Sequence, residues 1–468
     1  MGIRLYDHQS QFVAELRRAM LEADSVLGQA ATGFGKTCVA AHIAQSAAAK
    51  GRRVFFTVHR SNLLDQTAQT FREFGIPHGF IVAGTRYEDH HQVAVASIAT
   101  LARRLERIPA PDLLIIDEAH LAAAATWAKV VSYYRERGSR ILGLSATPSR
   151  LDGRPLSDLF GALVCGPSTR WLMDNGFLSE YRAFAPSQID LTGVKIKMGD
   201  FDTKALEAAA NKPSLIGDAA RHYARLADGT RALCFCVSIR HGRDVADHFT
   251  AAGIPAAHID GTTPRGERER IIRDFADGGI KVLCNAELIT AGFDLSAQVG
   301  REVPVETIIS LRPTASLALH LQMLGRGLRR KPSPAVLLDH AGNLARHGFP
   351  DDEREWTLEG RQAKQAAQPK PLVRHCPHCH ALHRGAVCPE CGYQHPAQAR
   401  RIEQAEGELT EIRRTEARLI ARREQGQAQT LADLRLLAAR RGYKPGWAER
   451  VFHARQGRAS APRTWRGI

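Results

Sequence analysis

The 468-residue sequence contains no run of about 18 apolar residues, the length that a membrane-crossing helix requires. Its opening, MGIRLYDHQS, has neither the basic n-region nor the apolar h-region of an export signal. Tyr6 stands where an N-myristoylation motif needs Ser or Thr. These absences predict a cytoplasmic protein. Aromatic residues are sparse at 6%, yet hydrophobic residues reach 44%, the balance of an α/β protein with real cores and not of a disordered chain. At about 150 residues per domain, the length allows roughly three domains.

What is abundant is positive charge, and it is unevenly placed. The chain carries a net charge of +15, of which residues 361–468 hold +12 and residues 1–360 only +3. A basic tail of this kind suits a polyanion, because each neutralised phosphate releases counterions. Taken alone, it suits a solvated helical surface equally well.

The nine cysteines fall into two groups. Cys38, Cys165, Cys234, Cys236 and Cys284 lie in apolar or strand-like segments and are expected as buried thiols. The other four, Cys376-x2-Cys379-x8-Cys388-x2-Cys391, have the spacing of two knuckles that close a tetrahedral thiolate site for Zn²⁺. A disulfide pair is the minor alternative in a reducing compartment. His375, His378, His380 and His383 crowd the same segment, so a histidine in place of one cysteine stays open.

Short apolar runs alternate with helical patterns over residues 52–146 and again over 231–339, which predicts two tandem parallel-sheet α/β domains. The expected organisation is a first domain over 1–180, a second over 181–345, a linker over 346–374, a four-cysteine zinc module over 375–398 and a basic helical tail over 399–468. In the tail, an exposed helix is expected over 399–425, followed by a short helical hairpin turning at residues 442–445.

The stretch Ala30 to Thr37, AATGFGKT, follows an apolar segment and precedes a helix, the setting of a phosphate-binding loop. Ala30 occupies the place of the pattern's first glycine. Ala31, Thr32, Gly33, Phe34 and Gly35 would turn backbone amides toward phosphate oxygens, Lys36 would reach the β/γ-phosphates, and Thr37 would hold Mg²⁺. After the apolar run LLII, Asp117 would hold the same Mg²⁺ and Glu118 would activate the attacking water. Asp-Glu after a strand is also a helix cap, and both readings can hold together. The two halves predict an ATPase site.

Two further stretches, LSATP at Leu144–Pro148 and LHLQMLGRGLRR at Leu319–Arg330, complete a pattern that resembles the superfamily 2 DEAD/DEAH-box helicase family over about residues 3–345. The ResIII, Rad25-like and UvsW-like DNA motors are similar, and the bacterial RadD type most of all. The resemblance implies two RecA-like domains, ATP and Mg²⁺ as ligands, and Gln9 of LYDHQ as an adenine contact. Arg60 in HRSNLLDQ, with Ser97 and Thr100 in SIATL, would contact a nucleic-acid strand. Thr290 and Gly292 would face its backbone, while Asp294 of LITAGFDL would face the nucleotide. Ser145 and Thr147 would link hydrolysis to domain movement. Gln322, Arg326 and Arg329 match the family's Q-x-x-G-R-x-x-R, which makes the arginines fingers on the γ-phosphate. Residues 296–304 read as an insertion after LITAGFDL, and the C-terminal region is shorter than the RadD-type one.

The resemblance implies a DNA-dependent ATPase in repair, recombination or replication, near the nucleoid and in a phage or prophage setting, with a repair or replication protein as a further partner. An RNA-directed helicase and a non-catalytic scaffold are the alternatives. No nuclease-like carboxylate and lysine cluster is evident. The zinc module fits DNA, with Tyr393, Tyr443, Trp447 and Trp465 as stacking residues, or a protein-docking role.

Overall fold

The computed structural model describes residues 4–59, 61–121, 125–150, 153–185, 194, 196–197, 200–210, 213–286, 288–289, 294–359, 373–395, 424, 428, 430–441, 446–449 and 451–453. Among these, no helix is long and apolar enough to cross a membrane.

The first sheet has seven strands: β1 (Ser25–Gln29), β2 (Val54–Val58), β3 (His78–Ile81), β4 (Val93–Ser97), β5 (Leu113–Asp117), β6 (Arg140–Ser145) and β7 (Ala162–Cys165). They run in the order β3-β4-β2-β5-β6-β1-β7, and every pairing is parallel. Runs such as VFFTV and LLIID suit this arrangement because helices cover both faces and leave no polar side to the strand. The order sets β5, β6 and β1 side by side, so their C-terminal ends converge. In an open parallel sheet, ligands bind at that end.

The second sheet begins with β8 (Tyr181–Phe184). After a small antiparallel hairpin, β9 (Ile196–Lys197) and β10 (Asp200–Phe201), come β11 (Ala232–Phe235), β12 (Ala256–Ile259), β13 (Val282–Asn285), β14 (Thr307–Ser310) and β15 (Ala335–Asp339). They form a parallel sheet in the order β12-β13-β11-β14-β15-β8. Two more strands, β16 (Arg374–His375) and β17 (Ala381–His383), continue it, with β17 antiparallel to β8 in the register Ala381↔Phe184 and Leu382↔Ala183.

Two sequence expectations change here. The four-cysteine segment, expected as a separate module, is joined to the second sheet. The free edge of β8 is a row of unpaired N–H and C=O groups, and β17 satisfies it. Cys376, Ala381 and Cys388 lie in the same buried cluster as Phe184, Tyr223 and Val336. The described part of the 346–374 segment is packed, not loose. Phe349 is buried, and Asp351 accepts hydrogen bonds from Tyr181 and Arg384. The Leu358 carbonyl accepts from the backbone N–H groups of Leu156 and Ser157 beside the first sheet.

The thiols also divide differently. Cys234, Cys236 and Cys284 are buried as expected, but Cys38 is only partly buried and Cys165 is exposed at the end of the edge strand β7. The C-terminal unit, Pro396–Ile468, is described only in pieces. Its Leu431–Arg441 helix carries ion pairs from Arg440 and Arg441 to Glu424 and from Arg435 to Glu449. The helix expected over 399–425 and the turn at 442–445 lie outside the described residues, apart from Glu424.

Candidate active site and cysteine centre

The chain leaves β1 at Gln29 and turns through residues 30–35 into the Lys36–Ala48 helix. The turn needs two left-handed residues, supplied by Gly33 at φ 87° and Gly35 at φ 90°. A side chain at Gly35 would come within 2.6 Å of the Gln9 amide nitrogen. That amide donates to the Phe34 carbonyl at 2.8 Å, and its oxygen accepts from Tyr6 N–H at 3.1 Å. Gln9 thus braces the loop from beneath. Phe34 is buried and meets Phe12 edge to face.

Lys36 begins the helix, and its ammonium donates to the carbonyls of Ala30 and Ala31 at 3.1 and 3.4 Å. Burial pushes this ammonium down, against the pull of the Glu118 and Asp117 carboxylates. Asp117 ends β5, where burial and then the neighbouring Glu118 charge push its carboxyl up. Glu118 follows at φ 49°, a left-handed conformation that costs a non-glycine residue about 1–3 kcal/mol. Its N–H donates to the Asp117 carboxylate at 3.0 Å. Its own Oε2 is buried without a hydrogen bond; it lies 3.4 Å from Nδ1 of His120, which is instead engaged with the Ser145 hydroxyl at 3.1 Å. Burial keeps the His120 imidazole low and therefore neutral near pH 7.

Ser145 ends β6 and ties this side of the site together. Its hydroxyl donates to the Thr147 carbonyl and accepts from Thr147 N–H, and its own carbonyl accepts from Ala30 N–H. Gln29 adds a side-chain bond to the Ala146 carbonyl. His120 and Gln29 are contributors that the sequence reading did not single out, although the His of DEAH was available as a signal.

The second sheet domain reaches the same cleft through its Leu317–Gly327 helix, which carries Gln322 and Arg326. Gln322 is buried, and Arg326 is close enough to Glu118 to feel its charge; burial pushes the arginine down to about 10. At Gly325 an added Cβ would lie 2.2 Å from the Thr32 methyl, so the helix backbone abuts the loop. Gly325→Ala is therefore expected to prise the helix from the loop and lower ATP turnover about tenfold, with little change in thermal stability. Turnover assays beside a melting curve check this.

Arg329 makes a bidentate ion pair with Asp294, both contacts at 3.0 Å. Burial alone would raise Asp294, but Arg329, with Arg326 and the Ser296 N–H, holds the carboxyl below its usual range. Ser97 stands at the end of β4, partly exposed. Thr100, expected beside it as a strand contact, is buried at 7% exposure because it faces inward from its short helix. Arg60, Thr290 and Gly292 lie outside the described residues.

These residues suit a nucleotide with a divalent cation. A glycine cradle, a lysine, a buried Asp-Glu pair and an opposed arginine meet in one cleft. Thr32 Oγ1, Glu118 Oε2, Thr147 Oγ1 and Arg326 Nε are buried there without hydrogen-bond partners, atoms that need a partner of their own.

The four cysteine sulfurs all lie within 4.8 Å of one another, with Cys376–Cys391 and Cys379–Cys388 each at 3.6 Å. Zn–S bonds of about 2.3 Å give tetrahedral edges of about 3.8 Å, so the set fits zinc. Burial would raise the Cys376 thiol, but the turned N–H groups of Cys379 and His378, with the neighbouring Cys391 and Cys379 thiols, together bring it down to about 7. Each knuckle needs a left-handed residue after its second cysteine: Gly392 at φ 73° in one and His380 at φ 65° in the other. The nearby histidines pair among themselves, His375 with His380 and His383 with His395. Tyr393, expected as a stacking residue, packs against the buried cluster that holds Cys376. Trp447 belongs to the C-terminal unit, and Tyr443 and Trp465 lie outside the described residues.

Comparison with known proteins agrees with this construction. The family described as "Type III restriction enzyme, res subunit" matches residues 2–150, and "Helicase conserved C-terminal domain" matches residues 215–331. The chain is 32% identical over 408 residues to a 51.5 kDa protein of Lactococcus phage (isolate 7-9), covering 85% of each. It is 27% identical over 346 residues to the protein of Saccharomyces cerevisiae assigned as the ATP-dependent helicase IRC3, covering 69% of this chain and 49% of that one. The chain thus spans about half the length of the yeast relative. Among solved structures, a fragment assigned as an HsdR subunit of a type I restriction enzyme from Vibrio vulnificus YJ016 matches 74% of this chain and 65% of its own, with TM-score 0.57 at 20% identity. The ATP-dependent Type ISP restriction-modification enzyme LlaBIII bound to DNA matches 72% of this chain and 28% of its own, with TM-score 0.55 at 16% identity. With two RecA-like domains that meet at one cleft and these relatives, the chain belongs to the superfamily 2 helicase family and is an ATP-hydrolysing member of it.

Proposed function

We propose that this helicase is a DNA-stimulated motor that translocates along or remodels DNA in repair, recombination or replication. The +12 charge of residues 361–468 against +3 for the rest of the chain supports a polyanion as the partner, and the resemblance to DNA motors over residues 3–345 is what favours DNA among polyanions. The LlaBIII structure, a DNA complex, adds support, as the phage relative does for a phage or prophage setting.

In the proposed chemistry, Lys36 and the backbone amides of residues 31–35 hold the phosphates, Gln9 meets the adenine, and Gln322 lines the nucleotide cleft. Thr37 and Asp117 would hold a Mg²⁺ ion, which when bound neutralises charge on the phosphate oxygens. Glu118 takes the proton of the attacking water; its unpaired Oε2 is free for that bond. Arg326 and Arg329 come from the other domain, so the set is complete only when the domains close. Hydrolysis then relaxes the closure and becomes movement along the strand. Cys376, Cys379, Cys388 and Cys391 hold Zn²⁺ and stabilise the second domain.

Steady-state ATP turnover with single-stranded DNA, duplex DNA, a forked junction and RNA, each at two salt concentrations, tests the reading. DNA should stimulate more than RNA, and apparent affinity should fall steeply with salt. Stimulation by RNA alone would overturn the DNA assignment.

A further inference from the structure

One side-chain bond crosses between the sheet domains outside the AATGFGKT loop and the Asp117–Glu118 pair. Gln66, on the Ser61–Glu73 helix of the first domain, accepts through Oε1 from the backbone N–H of Asp294, 228 positions away, at 3.0 Å. Asp294 is otherwise fixed by its carboxylate. It caps the Leu295–Val299 helix through Ser296 N–H at 3.0 Å and grips Arg329 with both oxygens. The backbone atom that Gln66 holds therefore belongs to the residue that orients the arginine.

The other side of Gln66 opens on a groove of about 710 Å³ between the Ser61–Glu73 helix and the Arg265–Ala276 helix of the second domain. Arg265 and Arg268 line that groove with Gln66 and Gln69. The same side chain thus stands between an interdomain groove and the Asp294–Arg329 pair. The Ser61–Glu73 helix also packs on the Leu295–Val299 helix, but among the described residues the Gln66 bond is the directional link to Asp294, and its geometry tolerates little misalignment.

We infer that Gln66 is a positioning residue, which registers the two domains on Asp294 and so sets where Arg329 enters the nucleotide cleft. This rests on the proposed role of Arg329 at the γ-phosphate. The bond contributes orientation and leaves substrate binding to other residues, so its loss acts on turnover and spares affinity. A plain interdomain tie would instead lower stability and leave turnover per folded molecule unchanged.

The test uses the full chain with Gln66→Leu, which keeps size and removes the acceptor, Gln66→Glu, which keeps an acceptor, Arg329→Ala, and the Gln66→Leu/Arg329→Ala double variant. ATP turnover is measured with and without single-stranded DNA, beside KM for ATP and the melting temperature. The expected result is a kcat about tenfold lower in Gln66→Leu, the scale of one lost orienting bond, with KM and melting temperature nearly unchanged. Gln66→Glu should recover most of the rate, and the double variant should be no slower than Arg329→Ala. A wild-type kcat in Gln66→Leu beside a slow Arg329→Ala overturns the inference while sparing the arginine's role. Additive losses in the double variant overturn it as well, because the path would bypass Arg329. Normal turnover in Arg329→Ala removes the arginine's proposed role and the inference with it.

Discussion

Glu118→Gln is expected to keep ATP and DNA binding while turnover falls by about two orders of magnitude or more, the usual scale for removing a positioned general base. The change is nearly isosteric, so the loss is chemical. The carboxylate sits at φ 49° immediately after β5, and its Oε2 is buried with no hydrogen bond to occupy it. Strain and an unsatisfied acceptor both oppose folding, and they persist where surrounding structure overdetermines them. Here Asp117 accepts the Glu118 N–H, while Ser145 draws His120 away from the carboxylate. The variant should keep its fold, since the amide removes the repulsion between Asp117 and Glu118 while giving up the attraction of Glu118 for Lys36 and Arg326. Single-turnover hydrolysis beside a nucleotide-binding titration checks the expectation. Unchanged hydrolysis would take the base role from Glu118 and leave it a strained helix cap.

The residues of that site were legible where chemistry and chain order coincide. An apolar run ending in Asp-Glu, and a glycine turn entering a helix at Lys-Thr, each specify a strand end in a parallel sheet. The strand order then brings β1, β5 and β6 together, a consequence of topology that neither motif contains. What the sequence left hidden depends on distant partners. Gln66 is one of many polar residues on an amphipathic helix until Asp294 lies against it. Gly325 is matched in the sequence as the glycine of Q-x-x-G-R-x-x-R, but its physical reason shows only when Thr32 is found 2.2 Å from its missing Cβ. The strands Ala162–Cys165 and Tyr181–Phe184 are four residues each, too short to show a period, and their neighbours define them. The burial of Thr100 was hidden for a related reason: a hydroxyl in a short segment gives no hint of which face turns inward.

The largest structural consequence concerns the four cysteines. Replacing Cys376 and Cys388 by serine is expected to release zinc and destabilise the whole second domain, because both sulfurs lie inside its buried cluster and β17 closes the edge of β8. Structural zinc contributes about 10–16 kcal/mol in isolated knuckle peptides, much of it spent on ordering them. If a third of that reaches the domain, the loss is about 4 kcal/mol, or a fall of about 10 °C in melting temperature for a unit of this size. Turnover should fall with it, since the Leu317–Gly327 helix that carries Arg326 rests on the same sheet. Cys391 is exposed, so Cys391→Ser should weaken zinc and cost less stability than the buried pair. Zinc content, melting and ATP turnover on the three proteins distinguish the cases. Zinc lost with melting and turnover unchanged would mean that β17 adds nothing the sheet needs. The centre would then have to be explained by what it binds, and the salt dependence of DNA affinity in the zinc-free protein would separate a DNA contact from a protein-docking surface.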